Sequence, residues 1–227
     1  MKRACLGRTF SRQREVPVAK DLMAASDASL PSGFVCLRES AGTATAWAAV
    51  FSTELGWMAC LWRHERLMWN SFGIESELSA HTALQAFVRS EGPPALDLFA
   101  TEARAAECPR PVRDLARRLA RFALDFEDRF LDVPLDVRHL GPFTRRVIDA
   151  CRALPPGRTA SYAELASVAG SPGAARAVGN AMARNRFPLI VPCHRVVGAR
   201  GHLGGYSAPQ GLTMKRRLLA AERSPKR

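Results

Sequence analysis

The stretch Phe187-Pro188-Leu189-Ile190-Val191-Pro192-Cys193-His194-Arg195-Val196-Val197-Gly198 sets an apolar run directly before a thiol, an imidazole and a guanidinium. Its first five residues predict a short buried strand, and Pro192, which cannot donate to a strand ladder, predicts that the strand stops there. Cys193 then falls in a tight turn at a strand end. A thiol at its ordinary pKa is mostly protonated at neutral pH and needs a nearby base or positive charge to react as thiolate. His194 and Arg195 supply one of each. Alone, the dipeptide says little, because a buried Cys is most often a small core hydrophobe.

The residues ahead of it change the odds. Phe143 to Leu154 reads as a helix closed by Pro155-Pro156-Gly157. Ser161-Tyr162-Ala163-Glu164 matches a capping box, which predicts a second helix from Tyr162 to about Ala169. Gly170-Ser171-Pro172-Gly173 makes a turn, and Ala174 to Arg184 makes a third helix, so the pair forms a helix-turn-helix. That third helix carries Ala174, Ala175, Ala177, Gly179, Ala181 and Ala183, with Arg176 as its conspicuous bulky residue. A helix so smooth can press close to another surface, or simply pack tightly within its own fold.

Over residues 139 to 222 the chain resembles the O6-alkylguanine-DNA alkyltransferase family, the methylated-DNA–protein-cysteine methyltransferases, whose signature is a Pro-Cys-His-Arg-Val run behind a helix-turn-helix. The resemblance implies transfer of a methyl group from O6-methylguanine, and from O4-methylthymine, in duplex DNA to Cys193, once per molecule. It implies that Glu222 orients His194, that His194 acts on Cys193 through a water, and that Asn185 braces the turn. Tyr162 would crowd a phosphate and donate to a flipped purine. Arg176 would fill the hole left by that base, while Ala175, Ala177 and Gly179 allow approach to the minor groove. Pro188 and Tyr206 would wall the pocket, the carbonyls of Cys193 and Val196 would read the guanine amino group, and Ser207 would offer an N–H to the alkylated oxygen. No cofactor is implied; some members of the family hold a zinc in their N-terminal half, but no matching Cys/His cluster is evident in this sequence, so no metal is expected. Two departures stand out: residues 206–215 run about two residues longer than the commonest family form, and Gly141-Pro142-Phe143-Thr144 stands where Thr-Pro-Phe-Gln is frequent.

Charge fits that reading. The chain carries a formal +12, yet residues 1–137 hold 17 basic against 18 acidic side chains, while residues 138–227 hold 16 against 3. Excess positive charge beside the Cys-His motif is the footprint of phosphate neutralisation. The six cysteines are scattered with no C-x-x-C pair, so spacing suggests neither a zinc site nor a disulfide framework. A reducing compartment fits, and no apolar run approaches a membrane span. The expectation is a soluble, monomeric, cytoplasmic protein, nucleoid-associated in a bacterial cell, with double-stranded DNA as its partner.

The N-terminal half reads differently. Residues 1–32 form a basic, then Ala/Ser-rich leader. Aromatic and β-branched runs at Ala46 to Thr53, Trp57 to Arg63 and Leu67 to Phe72 predict a three-stranded antiparallel meander, and helical periodicity follows at Ser79 to Ser90 and Pro111 to Phe126. The expected architecture is α+β. It comprises an N-terminal domain over 33–136, which the resemblance makes ribonuclease H-like, a mostly helical domain over 137–222 entered through a linker at 133–142, and a tail over 223–227. Two rival functions differ in class: a non-enzymatic reader of alkylated bases or regulator, which needs no thiol at Cys193, and a Cys-His hydrolase, which needs no basic helix-turn-helix.

Overall fold

The computed structural model describes residues 29–41, 44–91 and 102–223, so the leader and tail expected at the two ends fall almost wholly outside the described residues. The architecture is α+β. Strands β1 (Val35–Ala41), β2 (Ala44–Thr53), β3 (Gly56–Arg63) and β4 (Arg66–Ile74) form an antiparallel meander, and a two-residue strand β5 (Glu102–Ala103) joins β1, giving the order β4-β3-β2-β1-β5. The expected count of three is therefore corrected to five among the described residues. The predicted strands are β2, β3 and β4; β1 ends in Arg38-Glu39-Ser40-Ala41, poor strand formers that pair because β2 matches β1 along its whole length. His64 and Glu65, both at positive φ (48° and 59°), make the two-residue turn between β3 and β4.

Alternation along β2 splits the interior into two layers. Ala48 and Val50 face one side with Leu37, Ala59 and Leu61, where helix α1 (Glu77–Ser90) packs through Ala80, Leu84 and Val88. Ala49 and Phe51 face the other, with Met58, Cys60 and Phe72, against helix α2 (Arg110–Asp125) and the C-terminal half. Ser76 caps α1 by accepting from the Ser79 N–H at 3.2 Å. Cys36 on β1 is joined to Cys108, just before α2, by a disulfide across 72 residues, a pairing that cysteine spacing does not announce.

The C-terminal half is built on helices α3 (Pro142–Arg152), α4 (Tyr162–Val168), α5 (Ala175–Ala183) and α6 (Gly211–Arg223). The capping box at α4 forms as read: the Ser161 hydroxyl accepts from Glu164 N at 3.1 Å, and the Glu164 carboxylate accepts from Ser161 N at 2.6 Å. A short parallel pair, β6 (Ala160–Ser161) with β7 (Val196–Val197), ties the start of α4 to the segment after Cys193.

The strand expected over Phe187–Val191 is not one. Val191 N donates to Phe187 O at 2.7 Å, and Leu189 sits at φ 72°, so the chain turns back on itself. The apolar run records burial rather than pairing, since Leu189, Ile190 and Val191 all lie in the core.

The outer edge of β4 is not left open. Leu67 N donates to Pro134 O and Asp136 N to Leu67 O, both at 2.8 Å, so part of the segment expected as a linker docks as an edge cover. Further along the same edge, Asn70 N donates to Arg186 O at 2.9 Å. The sheet therefore reaches directly into the segment that carries the Cys-His motif.

Candidate active site

Cys193 opens a single 3-10 turn, Cys193–Arg195, closed by a bond from Val196 N to Cys193 O. Its side chain is 6 % exposed. The Asn185 amide donates to the sulfur at 3.2 Å and to Val191 O at 2.9 Å, while its Oδ1 accepts from Phe187 N at 2.9 Å. One side chain thus fixes both ends of the 187–191 turn and aims a donor at Sγ. Burial pushes the thiol up from its ordinary value; the Asn185 amide, the Lys215 ammonium, the turn's own backbone and the Tyr206 hydroxyl pull the other way.

Behind the thiol lies a buried ionic cluster. His194 Nε2 is 2.8 Å from Glu222 Oε1, and the Arg195 guanidinium donates to both Glu222 oxygens, at 2.7 Å from Nη2 to Oε1 and at 3.0 and 3.1 Å from Nε. Gly157 N adds a fourth donor at 3.1 Å, and Arg195 Nη1 reaches Leu154 O at 2.7 Å. Burial opposes ionisation of Glu222, but hydrogen bonds and charge from His194 and Arg195 outweigh it and hold the carboxyl at about 2. Burial lowers His194 against the pull of Glu222, which favours the neutral imidazole. Since Nε2–H donates a hydrogen bond to the carboxylate, Nδ1 carries the lone pair, and it makes no hydrogen bond among the described residues.

Two expected tyrosines lie near the sulfur, and the other expected pocket residues sit around the turn. Tyr206 approaches it without a well-formed hydrogen bond to its hydroxyl, and burial first, then the neighbouring Cys193, keeps that hydroxyl protonated. Tyr162, at the start of α4, is likewise raised by burial and by Cys193. Gly204 must lack a side chain here: a Cβ would stand 3.0 Å from the Tyr162 hydroxyl, at φ 64°. Val196 belongs to β7, but its carbonyl already accepts from Lys215 Nζ at 2.6 Å, and the Cys193 carbonyl accepts from Val196 N. Each expected reader of a guanine amino group therefore has one intramolecular donor. Pro188 is half-buried in the turn, and Ser207 is exposed at the start of the 207–210 loop.

Helix α5 turns Val178 and Met182 inward and leaves Arg176, Ala177, Asn180 and Ala183 exposed. Ala175 is half-buried, and so is Gly179, where a Cβ would lie 4.0 Å from the Tyr162 ring. The smoothness of α5 thus serves close packing on one flank and an open surface on the other. Arg184, at its C-cap, is a further exposed cation on the same helix end.

Sequence reading misses Lys215 and Asn70 and gives Arg195 the wrong partner. Lys215 carries no expected role, yet it is fully buried, donates to the carbonyls of Val196 and Leu203, and lies 5.9 Å from the Tyr206 ring. Its burial on α6 has no local signal in the sequence. Arg195 holds Glu222 rather than facing the thiol. Asn70, far away in sequence, touches the turn from the sheet. Among the described residues, no group of three or more His, Cys, Asp or Glu side chains is placed to hold a metal.

Residues 142–224 match the family described as 6-O-methylguanine DNA methyltransferase, DNA binding domain. A methylated-DNA–protein-cysteine methyltransferase of Mycolicibacterium paratuberculosis is 51 % identical over 118 residues, which span 52 % of this chain and 68 % of that one. The protein of the same name from Mycobacterium bovis is 50 % identical over 93 residues, 41 % of this chain and about half (54 %) of its own length. Among solved structures, Mycobacterium tuberculosis OGT in complex with DNA superposes with a TM-score of 0.52 at 30 % identity, covering 77 % of this chain and 91 % of that one.

Proposed function

The chain belongs to the methylated-DNA–protein-cysteine methyltransferase family, and from that premise we infer that it repairs DNA by moving an alkyl group, irreversibly, onto its own Cys193. The observation that carries the assignment to Cys193 is the convergence on its sulfur of the Asn185 amide, with the His194–Glu222 pair held immediately behind. A thiol kept only as core filler needs neither.

The chemistry follows from the donors. His194 Nδ1 is the available acceptor, and it takes the thiol proton through an intervening water, because adjacent side chains on a tight turn diverge. Glu222 and Arg195 hold the imidazole in that tautomer. The thiolate then displaces the guanine oxygen from the alkyl carbon: an S–C bond forms, the O–C bond breaks, and the base leaves with its electron pair as it gains a proton. The Tyr162 hydroxyl, kept protonated, is the donor proposed for that step. The product is a thioether without an ionisable proton, so the protein acts once and needs no cofactor.

Substrate presentation is proposed from charge and shape. Helices α4 and α5 act as a helix-turn-helix that places α5 in the minor groove; Ala175, Ala177 and Gly179 permit approach, and Arg176 stabilises the cavity left by the flipped nucleotide, which costs a few kcal/mol to extrude. Pro188, Val196, Tyr206 and Ser207 surround the flipped O6-methylguanine, or O4-methylthymine. The N-terminal domain is taken as 33–136 and ribonuclease H-like, the DNA-binding domain as 137–222, and the protein as a monomer inside the cell. No helix among the described residues is long and apolar enough to cross a membrane.

The test is incubation with duplex DNA containing O6-methylguanine, followed by intact and peptide mass measurement. A gain of one methyl, mapped to Cys193 and reaching a one-to-one plateau, is expected. Modification elsewhere, or sustained turnover, overturns the assignment.

A further inference from the structure

Asn70 is an odd residue for its place. It lies on β4 at 1 % exposure, although asparagine is among the poorer strand formers and a buried amide is costly unless hydrogen-bonded. Nothing in the sheet satisfies its side chain. Nδ2 donates instead to Pro188 O at 2.9 Å, and the backbone N–H of the same residue donates to Arg186 O at 2.9 Å. Its Oδ1 makes no hydrogen bond among the described residues, so the amide is oriented wholly by what its NH2 group grips.

These two bonds clasp the carbonyls on either side of Phe187. The amide of Phe187 is the group that donates to Asn185 Oδ1, and Asn185 in turn points its own NH2 at the Cys193 sulfur. A continuous run of hydrogen bonds therefore leads from the edge of the sheet to the thiol. The same short segment carries Pro188. A second tether lies beside it: Arg186 pairs with Glu91, at the end of α1, at 2.8 Å and stacks over Phe87 with its guanidinium 5.2 Å from the ring centre.

We propose that Asn70 is a positioning residue for alkyl transfer, through which the N-terminal sheet sets the aim of Asn185 at the Cys193 sulfur and the place of Pro188 beside it. This rests on the function proposed above, and it gives the N-terminal half a part in the chemistry that DNA binding alone does not require. Small displacements of a reacting group are costly, roughly ten- to a hundredfold in rate for shifts near 1 Å.

The experiment compares wild type with Asn70→Asp, which keeps size and the backbone bond but loses the donor to Pro188, and with Asn70→Ala. Single-turnover transfer from free O6-benzylguanine is followed across pH, and binding to undamaged duplex DNA is measured alongside. Expected for Asn70→Asp is a rate lowered by about tenfold or more, a rising limb of the pH profile moved to higher pH, and unchanged DNA affinity. If Asn70→Ala fails to fold, Asn70→Asp alone decides. A wild-type rate and pH profile in Asn70→Asp overturns the positioning role while leaving the family reaction intact; a rate loss with an unmoved pH profile also overturns it, since that marks general destabilisation. A wild-type protein that transfers nothing sinks both readings.

Discussion

Two buried free cysteines, one in the sheet and one in the reactive turn, share almost everything except their neighbours. Cys60 lies in the middle of β3 and burial alone acts on it, pushing its thiol far above the ordinary range. Cys193 is just as hidden, yet an amide, an ammonium, a backbone group and a phenol all favour its charged form. Cys151 lies between these cases: burial and the charge of Cys193 raise it, and only Arg195 opposes. Burial raises both thiols, and what separates them is the set of donors aimed at one sulfur; under the proposed reaction it is these donors, with a base in reach of the proton, that single out Cys193.

The most direct way to break this contrast is to delete each sulfur. Cys193→Ser is expected to abolish transfer completely, while Cys60→Ala transfers to the same one-to-one plateau, as read by mass shift; transfer surviving in Cys193→Ser would put the reaction elsewhere. A second expected effect sharpens the contrast through charge. Glu222→Gln strands Arg195 in the interior and should cost on the order of 3–5 kcal/mol of folding stability, measured by denaturant titration. The sign with pH follows from the depressed pKa. The Glu222 contribution is complete above the unfolded value near 4.5 and is lost as pH falls toward about 2. His194, also depressed, adds a loss that begins as pH falls through its unfolded value near 6.5. The acid-induced loss of stability should therefore be shallower in Glu222→Gln, and an unchanged acid limb counts against the ionic cluster.

Asn185→Leu tests the donor itself. Losing a hydrogen bond to a charged group is worth about 1.5–3 kcal/mol, so the thiol should rise further and the rate profile should move to higher pH; an unmoved profile would leave Asn185 as a loop brace only. The smallest effect concerns the product. A methyl group added to Sγ must enter a packed site beside the Asn185 amide, and overpacking costs about 1–3 kcal/mol. The reacted protein should melt a few degrees lower, whereas blocking an exposed thiol in an unrelated control should not matter.

What could be read from the chain and what could not divide along physical lines. The capping box at Ser161 and Glu164, the hairpin turns, and the helical periodicity of α1, α2 and α5 are local signals, and the elements appear within two residues of where those signals put them. The specific Pro192-Cys193-His194-Arg195-Val196 run carries the proposed site. β1 was missed because its second half lacks strand formers and owes its pairing to β2. The 187–191 segment was misread because an apolar run reports burial, which a turn can share with a strand. Asn70, Lys215 and the Cys36–Cys108 pair are properties of tertiary contact, made across 118, 19 and 72 residues respectively. No window of sequence contains both partners of the longest two.

The edge of β4 bears on how the chain is made. Residues through Ile74 complete the meander, but the groups that cover its outer edge arrive only with Pro134, Asp136 and finally Arg186 and Pro188. At synthesis rates of about 5–20 residues per second, a nascent chain carries that uncovered edge for on the order of ten seconds. An unpaired strand edge is a template for a neighbour's strand. Chains emerging side by side on one message are thus at risk of joining through β4, and an N-terminal domain ending at residue 136 keeps the Asn70 stretch of that edge open, whereas the longer chain covers it with the segment that leads into Cys193.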